Sequence, residues 1–219
     1  MEWFNTHWVT ATVFLPLFWG MVGLFIPVQS EGGRSFLRSW TLLGTLVTFL
    51  LSVFLFQQYQ PKGLEFQLSE NQEWLPGLGI FYQVGIDGIS LWLILLTTVL
   101  MPIAVLGSFK AVENRVREYY FLLLALETGM LGAFVALDVF LFYMFWEAML
   151  IPMYFLVGIW GGKDRVYAAM KFFLYTLVGS LLMLVAIFYL AIQHKIQFGT
   201  YSTAILDLYK PQQELRCLQ

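Results

Sequence analysis

The chain has 219 residues, of which 59% are apolar, 18% aromatic and only 12% charged. Soluble domains carry about a quarter charged residues, so this composition excludes an ordinary soluble domain and indicates a membrane protein with several spans. The net charge of −2 favours no nucleic-acid partner, and a single cysteine, Cys217, excludes an internal disulfide and a thiolate metal cluster. His7 and His194 lie far apart, so no metal site is expected within the chain.

The hydropathy pattern predicts an all-α membrane domain over residues 1–192, a bundle of six transmembrane helices. A helix needs about 20 apolar residues to cross a bilayer, and segments of this kind occur at residues 8–28, 40–56, 89–109, 119–137, 139–159 and 172–192. The polar segment 57–85 is predicted to lie on the outer side, with its part WLPGLGIFYQ on the membrane surface. Residues 193–219 are predicted to form a polar tail.

Short polar residues mark two of the helix starts. Asp87 and Ser90 stand where their oxygens can accept hydrogen bonds from the free N–H groups of the third span's first turn. The fourth and fifth spans are separated by Asp138 alone, which also suits a capping role. These two spans are therefore expected to form a tight antiparallel pair.

The positions of lysine and arginine predict the orientation. One set of alternate links carries eight, namely Arg34, Arg38, Lys110, Arg115, Arg117, Lys163, Arg165 and Lys171. The opposite side carries four, namely Lys62, Lys195, Lys210 and Arg216. Short cytoplasmic loops carry the excess of positive charge, so the eight-charge side is predicted to face inward and both ends of the chain outward.

One carboxylate stands in the middle of the fifth span. Glu147 is the sole charged residue between positions 139 and 159. A charge at the bilayer centre costs about 3 kcal/mol on insertion scales, and such residues usually face other helices or water and have a function. Burial favours the neutral acid and a nearby cation favours the carboxylate, so Glu147 is predicted to take up and release a proton. The alternative is a neutral acid that hydrogen-bonds two helices together.

The same helix carries polar groups that suit this role. Tyr143, Glu147 and Tyr154 fall at i, i+4 and i+11 and share one face. Pro152 has no N–H, so the carbonyl of Ala148 lacks its helical donor and can bind a water beside the glutamate. The two tyrosines are therefore candidate supporting residues.

Two further charged residues are candidates, each with an alternative. Glu127, in LLLALETGMLG, lies near the midplane of the fourth span beside two glycines, so a proton role and a helix-contact role are equally compatible. Lys171 stands at the start of the sixth span. It either reaches inward beside Tyr175 and tunes Glu147 electrostatically, or extends to the membrane interface.

The segments FYMFWEAMLIPMYFLVGIWGG and RVYAAMKFFLYTLVGSLLML, preceded by VGIDGISLWLILLTTVLMP, resemble chain M, or subunit 4, of the proton-pumping NADH:quinone oxidoreductases. The resemblance is dense over residues 74–192 and looser before them. It is specific, because the glutamate recurs in that class within the setting F-W-E-x-x-x-x-P-M. The other antiporter-like subunits of that complex, multisubunit cation/proton antiporters and membrane-bound hydrogenases are more distantly similar.

The resemblance implies the first part of an antiporter-like fold and a share in proton translocation coupled to electron transfer from NADH to quinone. In such subunits the glutamate matching Glu147 works with a lysine on a following transmembrane helix. The resemblance also implies that NADH, flavin mononucleotide, iron–sulfur clusters and quinone are used by other subunits, so this chain would hold no cofactor and would not catalyse the redox reaction alone. Its partners would be other membrane subunits and the lipid bilayer, in a bacterial inner membrane.

The family's subunits have two inverted repeats of spans, and six spans are expected here. We therefore expect a truncated or split chain that lacks the lysine partner of Glu147. Two alternatives stand beside the redox function. One is a subunit of a multisubunit sodium/proton antiporter, and the other is a non-functional truncated fragment.

Overall fold

The computed structural model describes residues 7–60, 66–75, 77 and 79–208. Within these residues the chain forms six long helices and two strands, namely α1 (Trp8–Gly23), α2 (Glu31–Gln58), β1 (Gln67–Leu75), β2 (Ile80–Ile86), α3 (Gly88–Ala111), α4 (Val116–Val135), α5 (Val139–Trp160) and α6 (Arg165–Phe198). Some residues used in the sequence analysis lie outside the described ranges, namely Lys62, Lys210, Arg216 and Cys217, together with tail positions 209–219.

Five of these helices, α2 to α6, are long and apolar enough to cross a membrane. The predicted helical, multi-pass membrane fold is therefore confirmed. The first helix, α1, is also apolar but has 16 residues, about 24 Å against the bilayer's ~30 Å. It ends at Gly23, before the predicted end at residue 28, because the position before Pro27 disfavours helical backbone.

The second and sixth helices are longer than predicted. The start of α2 lies nine residues early because the Ser30 hydroxyl accepts a hydrogen bond from the Gly33 N–H at 3.1 Å, with Glu31 in the first turn. The last helix, α6, has 34 residues, about 51 Å. It continues to Phe198 and ends where Gly199 adopts a φ of 79°, a left-handed conformation that suits glycine.

The predicted caps of α3 and α5 are confirmed. The Asp87 carboxylate accepts a hydrogen bond from the Ser90 N–H at 2.6 Å, and the Ser90 hydroxyl accepts one from the Asp87 N–H at 2.9 Å. The Asp138 carboxylate accepts from the N–H groups of Phe140 and Leu141, at 2.8 and 3.0 Å. Because α4 ends at position 135 and α5 begins at 139, these two helices form the expected close pair.

The polar segment between α2 and α3 contains an antiparallel β-hairpin, which the sequence analysis did not predict. Strands β1 and β2 pair from Gln67 with Ile86 to Leu75 with Ile80. Apolar residues stand at alternate positions of β2, namely Ile80, Tyr82, Val84 and Ile86, and Val84 is fully buried. This alternation in IFYQVGI is the period of a half-buried strand.

A buried carboxylate joins the hairpin to α1. Glu70 of β1 is 6% exposed and accepts hydrogen bonds from the N–H groups of Val9 and Thr10, at 3.0 and 3.1 Å. The Thr10 hydroxyl donates to it at 2.5 Å, and His7 Nδ1 lies 2.9 Å away. These N–H groups belong to the first turn of α1, where the helix dipole favours an anion.

The chain beyond α6 returns to the junction between α4 and α5. The Val139 N–H donates to the Thr203 carbonyl at 3.0 Å, and the Ile205 N–H donates to the Leu137 carbonyl at 2.9 Å. Residues 193–198 belong to α6, so this helix extends into the predicted polar tail, and residues 203–205 are hydrogen-bonded to the α4–α5 junction.

Buried apolar side chains form two clusters at opposite ends of the bundle, which we call outer and inner after the predicted orientation. The outer cluster consists of Val9, Val13, Leu55, Val84, Ile86, Leu91, Ile94, Leu131, Val135, Ala136 and Leu141. The inner cluster consists of Leu37, Met101, Val105, Val112, Val116, Tyr120 and Leu123. Helix α4 contributes to both clusters and packs against α1, α3 and α5, so it is the central helix of the bundle.

Candidate functional site

The candidate site begins with Glu147 in the middle of α5. The residue is half-buried, and its Oε1 is buried without a hydrogen-bond partner in the part of the chain that the structure describes. Leaving a buried acceptor unpaired costs about 1–3 kcal/mol, and more for a charged group. A group kept at that cost is a candidate for function rather than for stability.

Two hydroxyl side chains accompany this carboxyl. Tyr143, one turn earlier on α5, is 8% exposed, and its side chain lies near Glu147 and near Ser180 of α6. Ser180 is 3% exposed and donates its own hydrogen to the Leu177 carbonyl at 2.9 Å. Sequence reasoning missed Ser180, because α6 also carries Tyr175, Thr176 and Tyr189 and nothing in the sequence singles out this hydroxyl.

A groove runs along a neighbouring face of α5, on the side of the hairpin. It has a volume of about 470 Å³ and runs between α1, the hairpin and α5, with Phe14 and Phe145 as walls and Glu73 at the rim. Its deepest residue on α5 is Ala148, whose carbonyl loses its helical donor to the buried Pro152. The groove therefore reaches from the outer face to the depth of the glutamate.

Tyr154 and Lys171 do not join the site. The Tyr154 hydroxyl donates to the Met170 sulfur at 3.4 Å, and its ring packs on Phe173 with the ring centres 5.4 Å apart. Lys171 is exposed, and its Nζ lies 5.8 Å from the centre of the Tyr167 ring. The structure thus separates these two residues from Glu147.

Tyr175 is 84% exposed, and Lys171 extends toward Tyr167, nearer the N-terminal end of α6. This placement favours the alternative in which the lysine extends to the membrane interface, and the inward path beside Tyr175 stays a prediction. Within the described ranges, Glu147 forms no salt bridge.

Glu127 lies at a second position, on α4. It is fully buried, and neither carboxyl oxygen has a hydrogen-bond partner among the residues that the structure describes. Its neighbour Thr128 accepts a hydrogen bond from the Leu17 N–H of α1 at 3.1 Å. Gly129 and Gly132 lie directly against side chains of α5, so the helix-contact role belongs to the glycines.

A polytopic helix bundle whose central helices carry isolated acidic residues defines a class of membrane proteins that handle protons or cations. Residues 136–215 match the family described as NADH:quinone oxidoreductase/Mrp antiporter, TM. The chain is 46% identical over 179 residues to NADH-quinone oxidoreductase subunit M of Rhodobacter capsulatus, covering 81% of this chain and 34% of the relative. It is 44% identical over 180 residues to NAD(P)H-quinone oxidoreductase chain 4 3 of Picosynechococcus sp., covering 82% and 32% respectively.

Comparison of the structure with solved structures points to the same family. A chain of respiratory complex I from Thermus thermophilus superposes with a TM-score of 0.76 at 31% identity, covering 92% of this chain and 39% of that one. The chain therefore belongs to the NADH:quinone oxidoreductase and Mrp antiporter family of membrane subunits, and the resemblance to chain M is confirmed. It spans about a third of the length of the curated relatives it matches.

Proposed function

We propose that the chain is a membrane-arm subunit of an NADH:quinone oxidoreductase and contributes to proton translocation coupled to electron transfer from NADH to quinone. One observation carries the proposal: the Glu147 carboxyl lies at mid-depth in α5, and one of its oxygens is buried with no hydrogen-bond partner among the described residues. The names of the relatives, subunit M and chain 4, support the redox coupling. The fold supports the antiporter-like architecture.

In this proposal Glu147 alternates between carboxylate and neutral acid. A nearby cation stabilises the ionised carboxylate, and withdrawal of the cation favours the neutral acid. A change of about 1.4 kcal/mol in that interaction changes the proton occupancy roughly tenfold. The hydroxyl of Tyr143 and a water on the free Ala148 carbonyl would pass the proton to and from the carboxyl. Tyr154 and Lys171 have no part in this arrangement, because both have other neighbours.

The cofactors and partners follow from the same proposal. The chain has one cysteine and no glycine-rich dinucleotide motif, so NADH, flavin mononucleotide, iron–sulfur clusters and quinone are assigned to other subunits. The partners are the other membrane subunits of the complex and the lipid bilayer. The location is a bacterial inner membrane, which the Rhodobacter relative supports.

A second function is a subunit of a sodium/proton antiporter. The family description that covers residues 136–215 includes the Mrp antiporters, and an intramembrane carboxyl suits either activity. An antiporter would be driven by a sodium gradient, whereas the oxidoreductase subunit would need electron transfer.

Inverted membrane vesicles that contain the complex distinguish the two functions. We expect NADH to drive proton uptake in sodium-free buffer when the chain is present, and the uptake per NADH oxidised to fall in its absence. Proton movement driven by an imposed sodium gradient without NADH, together with unchanged NADH-driven uptake after loss of the chain, would favour the antiporter and contradict the proposal.

A further inference from the structure

The interior of the bundle is apolar at both ends and polar in the middle. On α4, Leu123 belongs to the inner cluster and Leu131 to the outer cluster, and Glu127 lies one turn from each. On α2, Leu37 belongs to the inner cluster and Leu55 to the outer cluster. Every buried residue of α2 between these two leucines is small or carries a hydroxyl, namely Thr41, Gly44, Thr45, Thr48 and Ser52.

The four hydroxyls form a stripe along one face of α2, hereafter the hydroxyl stripe (Thr41, Thr45, Thr48 and Ser52). Their spacing of i, i+4, i+7 and i+11 places them on one side of the helix over about 16 Å. Thr48 donates to the Gly44 carbonyl at 3.0 Å, and Ser52 bonds Thr98 of α3 at 2.8 Å. Because a hydroxyl oxygen has two acceptor lone pairs, each hydroxyl of the stripe can still accept a hydrogen bond while donating to its own helix.

Helix α3 adds a free acceptor at the same depth. Pro102 is buried within α3 and has no N–H, so the Thr98 carbonyl lacks its helical donor. Met101, beside this proline, belongs to the inner cluster and Ile94 to the outer one. The freed carbonyl thus lies between the two clusters, as Glu127 does.

Glu127 has no counter-charge at its depth. The membrane-depth parts of α1, α2 and α3 carry no charged residue, and α5 carries Glu147 alone. An ionised Glu127 would be a buried, uncompensated charge, so the arrangement holds the neutral acid. A neutral acid that served to join helices would use its O–H in a hydrogen bond, yet neither oxygen has a partner in the described structure.

The contacts between α4 and α5 place the two acids at neighbouring depths. A Cβ added at Gly129 would meet Met149, and one added at Gly132 would meet Phe145. In this antiparallel pair, position 147 is therefore level with positions 130–131 of α4. Glu147 lies about one turn, ~5 Å along the axis, on the outer side of Glu127.

We propose that Glu127 is a second proton-binding carboxyl of this subunit, reached from the inner side by water held along the hydroxyl stripe. A hydronium ion on the stripe gives its proton to the Glu127 carboxylate, which leaves water and the neutral acid. The reverse step returns the proton, and only O–H bonds form and break. Its use in pumping rests on the proposed function, whereas proton binding at Glu127 does not.

Infrared spectroscopy of the full chain in lipid vesicles tests the binding site. We expect a carbonyl stretching band of a neutral carboxylic acid that shifts after transfer to D2O, remains in Glu147→Gln and is lost in Glu127→Gln. Thr48→Val has nearly the same shape as the native residue and removes one hydroxyl of the stripe. It should slow the deuterium shift at least severalfold.

The same experiment can overturn the proposal. Absence of the band from Glu147→Gln would show that Glu127 is not held as a neutral acid, and a band that does not shift in D2O would make it a sealed structural acid. An unchanged exchange rate in Thr48→Val would exclude the hydroxyl stripe as the route. Both results are available without Glu127→Gln, so they hold even if that variant does not fold.

Pumping by the assembled oxidoreductase tests the use of the site. We expect Glu127→Gln to lower the protons moved per electron severalfold, and Glu118→Gln, the same change at an exposed position of α4, to leave the ratio unchanged. Full pumping by Glu127→Gln would contradict the second site. Failure of the native complex to pump would contradict the proposed function and leave proton binding at Glu127 to be decided by the infrared result.

Discussion

The buried acids of this chain fall into two kinds that differ in their partners. Glu70 and Asp138, at the outer edge, are each held by several hydrogen bonds. Glu127 and Glu147, at membrane depth, have buried oxygens with no partner among the described residues. Paired acids stabilise a fold, whereas unpaired ones destabilise it and are kept for what they do.

A prediction at this scale concerns Glu70. Replacing it with glutamine removes a charged acceptor from the first turn of α1, so Glu70→Gln should lower the free energy of unfolding by about 1–3 kcal/mol. Thermal unfolding in detergent measures the change. The control is Glu73→Gln on the exposed side of the same strand, and equal unfolding temperatures for the two variants would refute the capping role.

Tyr82 gives a prediction for the effect of pH. Burial raises the pKa of its phenol above 10.0, the nearby Glu70 adds to the rise, and the hydrogen bond with Thr10 opposes it. The folded state then keeps a proton that the unfolded state loses, so this contribution to stability is present below pH 10 and declines above it. The free energy of unfolding should therefore fall less between about pH 9 and pH 11 in Tyr82→Phe than in the native chain. Denaturant titrations at the two pH values measure this fall, and an equal fall in both proteins would contradict the prediction.

The helices and strands show which features the sequence could predict. The α5 cap at Asp138 and the depth of Glu147 follow from local pattern, because a cap needs only neighbouring N–H groups and depth needs only chain length. The hairpin was missed because its alternation is short and lies between long apolar segments. Ser180 was missed because only packing of α6 on α5 brings it to Tyr143, and no spacing within one helix encodes that contact.

A prediction for the helix pair concerns the glycines of α4 that contact α5. A Cβ at Gly132 would meet the Phe145 ring, whereas a Cβ at Gly179 of α6 has open space. Gly132→Ala should therefore destabilise the α4–α5 pair by about 1–3 kcal/mol, and Gly179→Ala should be neutral or slightly stabilising. Thermal unfolding of both variants in detergent checks the difference, and equal effects would show that this contact is not tight.

For the whole molecule, the charge asymmetry predicts the orientation. With Cys217→Ser as background, Gln72→Cys in the hairpin should react with a membrane-impermeant maleimide added to the outside of intact spheroplasts. Lys163→Cys between α5 and α6 should react only in inverted vesicles, because its link carries the excess of positive charge. Labelling with the reverse pattern would overturn the orientation.

The whole account depends on proton transfer at the α5 acid. The most direct measurement is the number of protons moved per electron in vesicles that contain the assembled oxidoreductase, compared between the native chain and Glu147→Gln. The glutamine keeps the shape of the side chain but cannot bind and release a proton, so we predict that the ratio falls severalfold while NADH oxidation with an artificial acceptor continues. An unchanged ratio in Glu147→Gln would contradict the account.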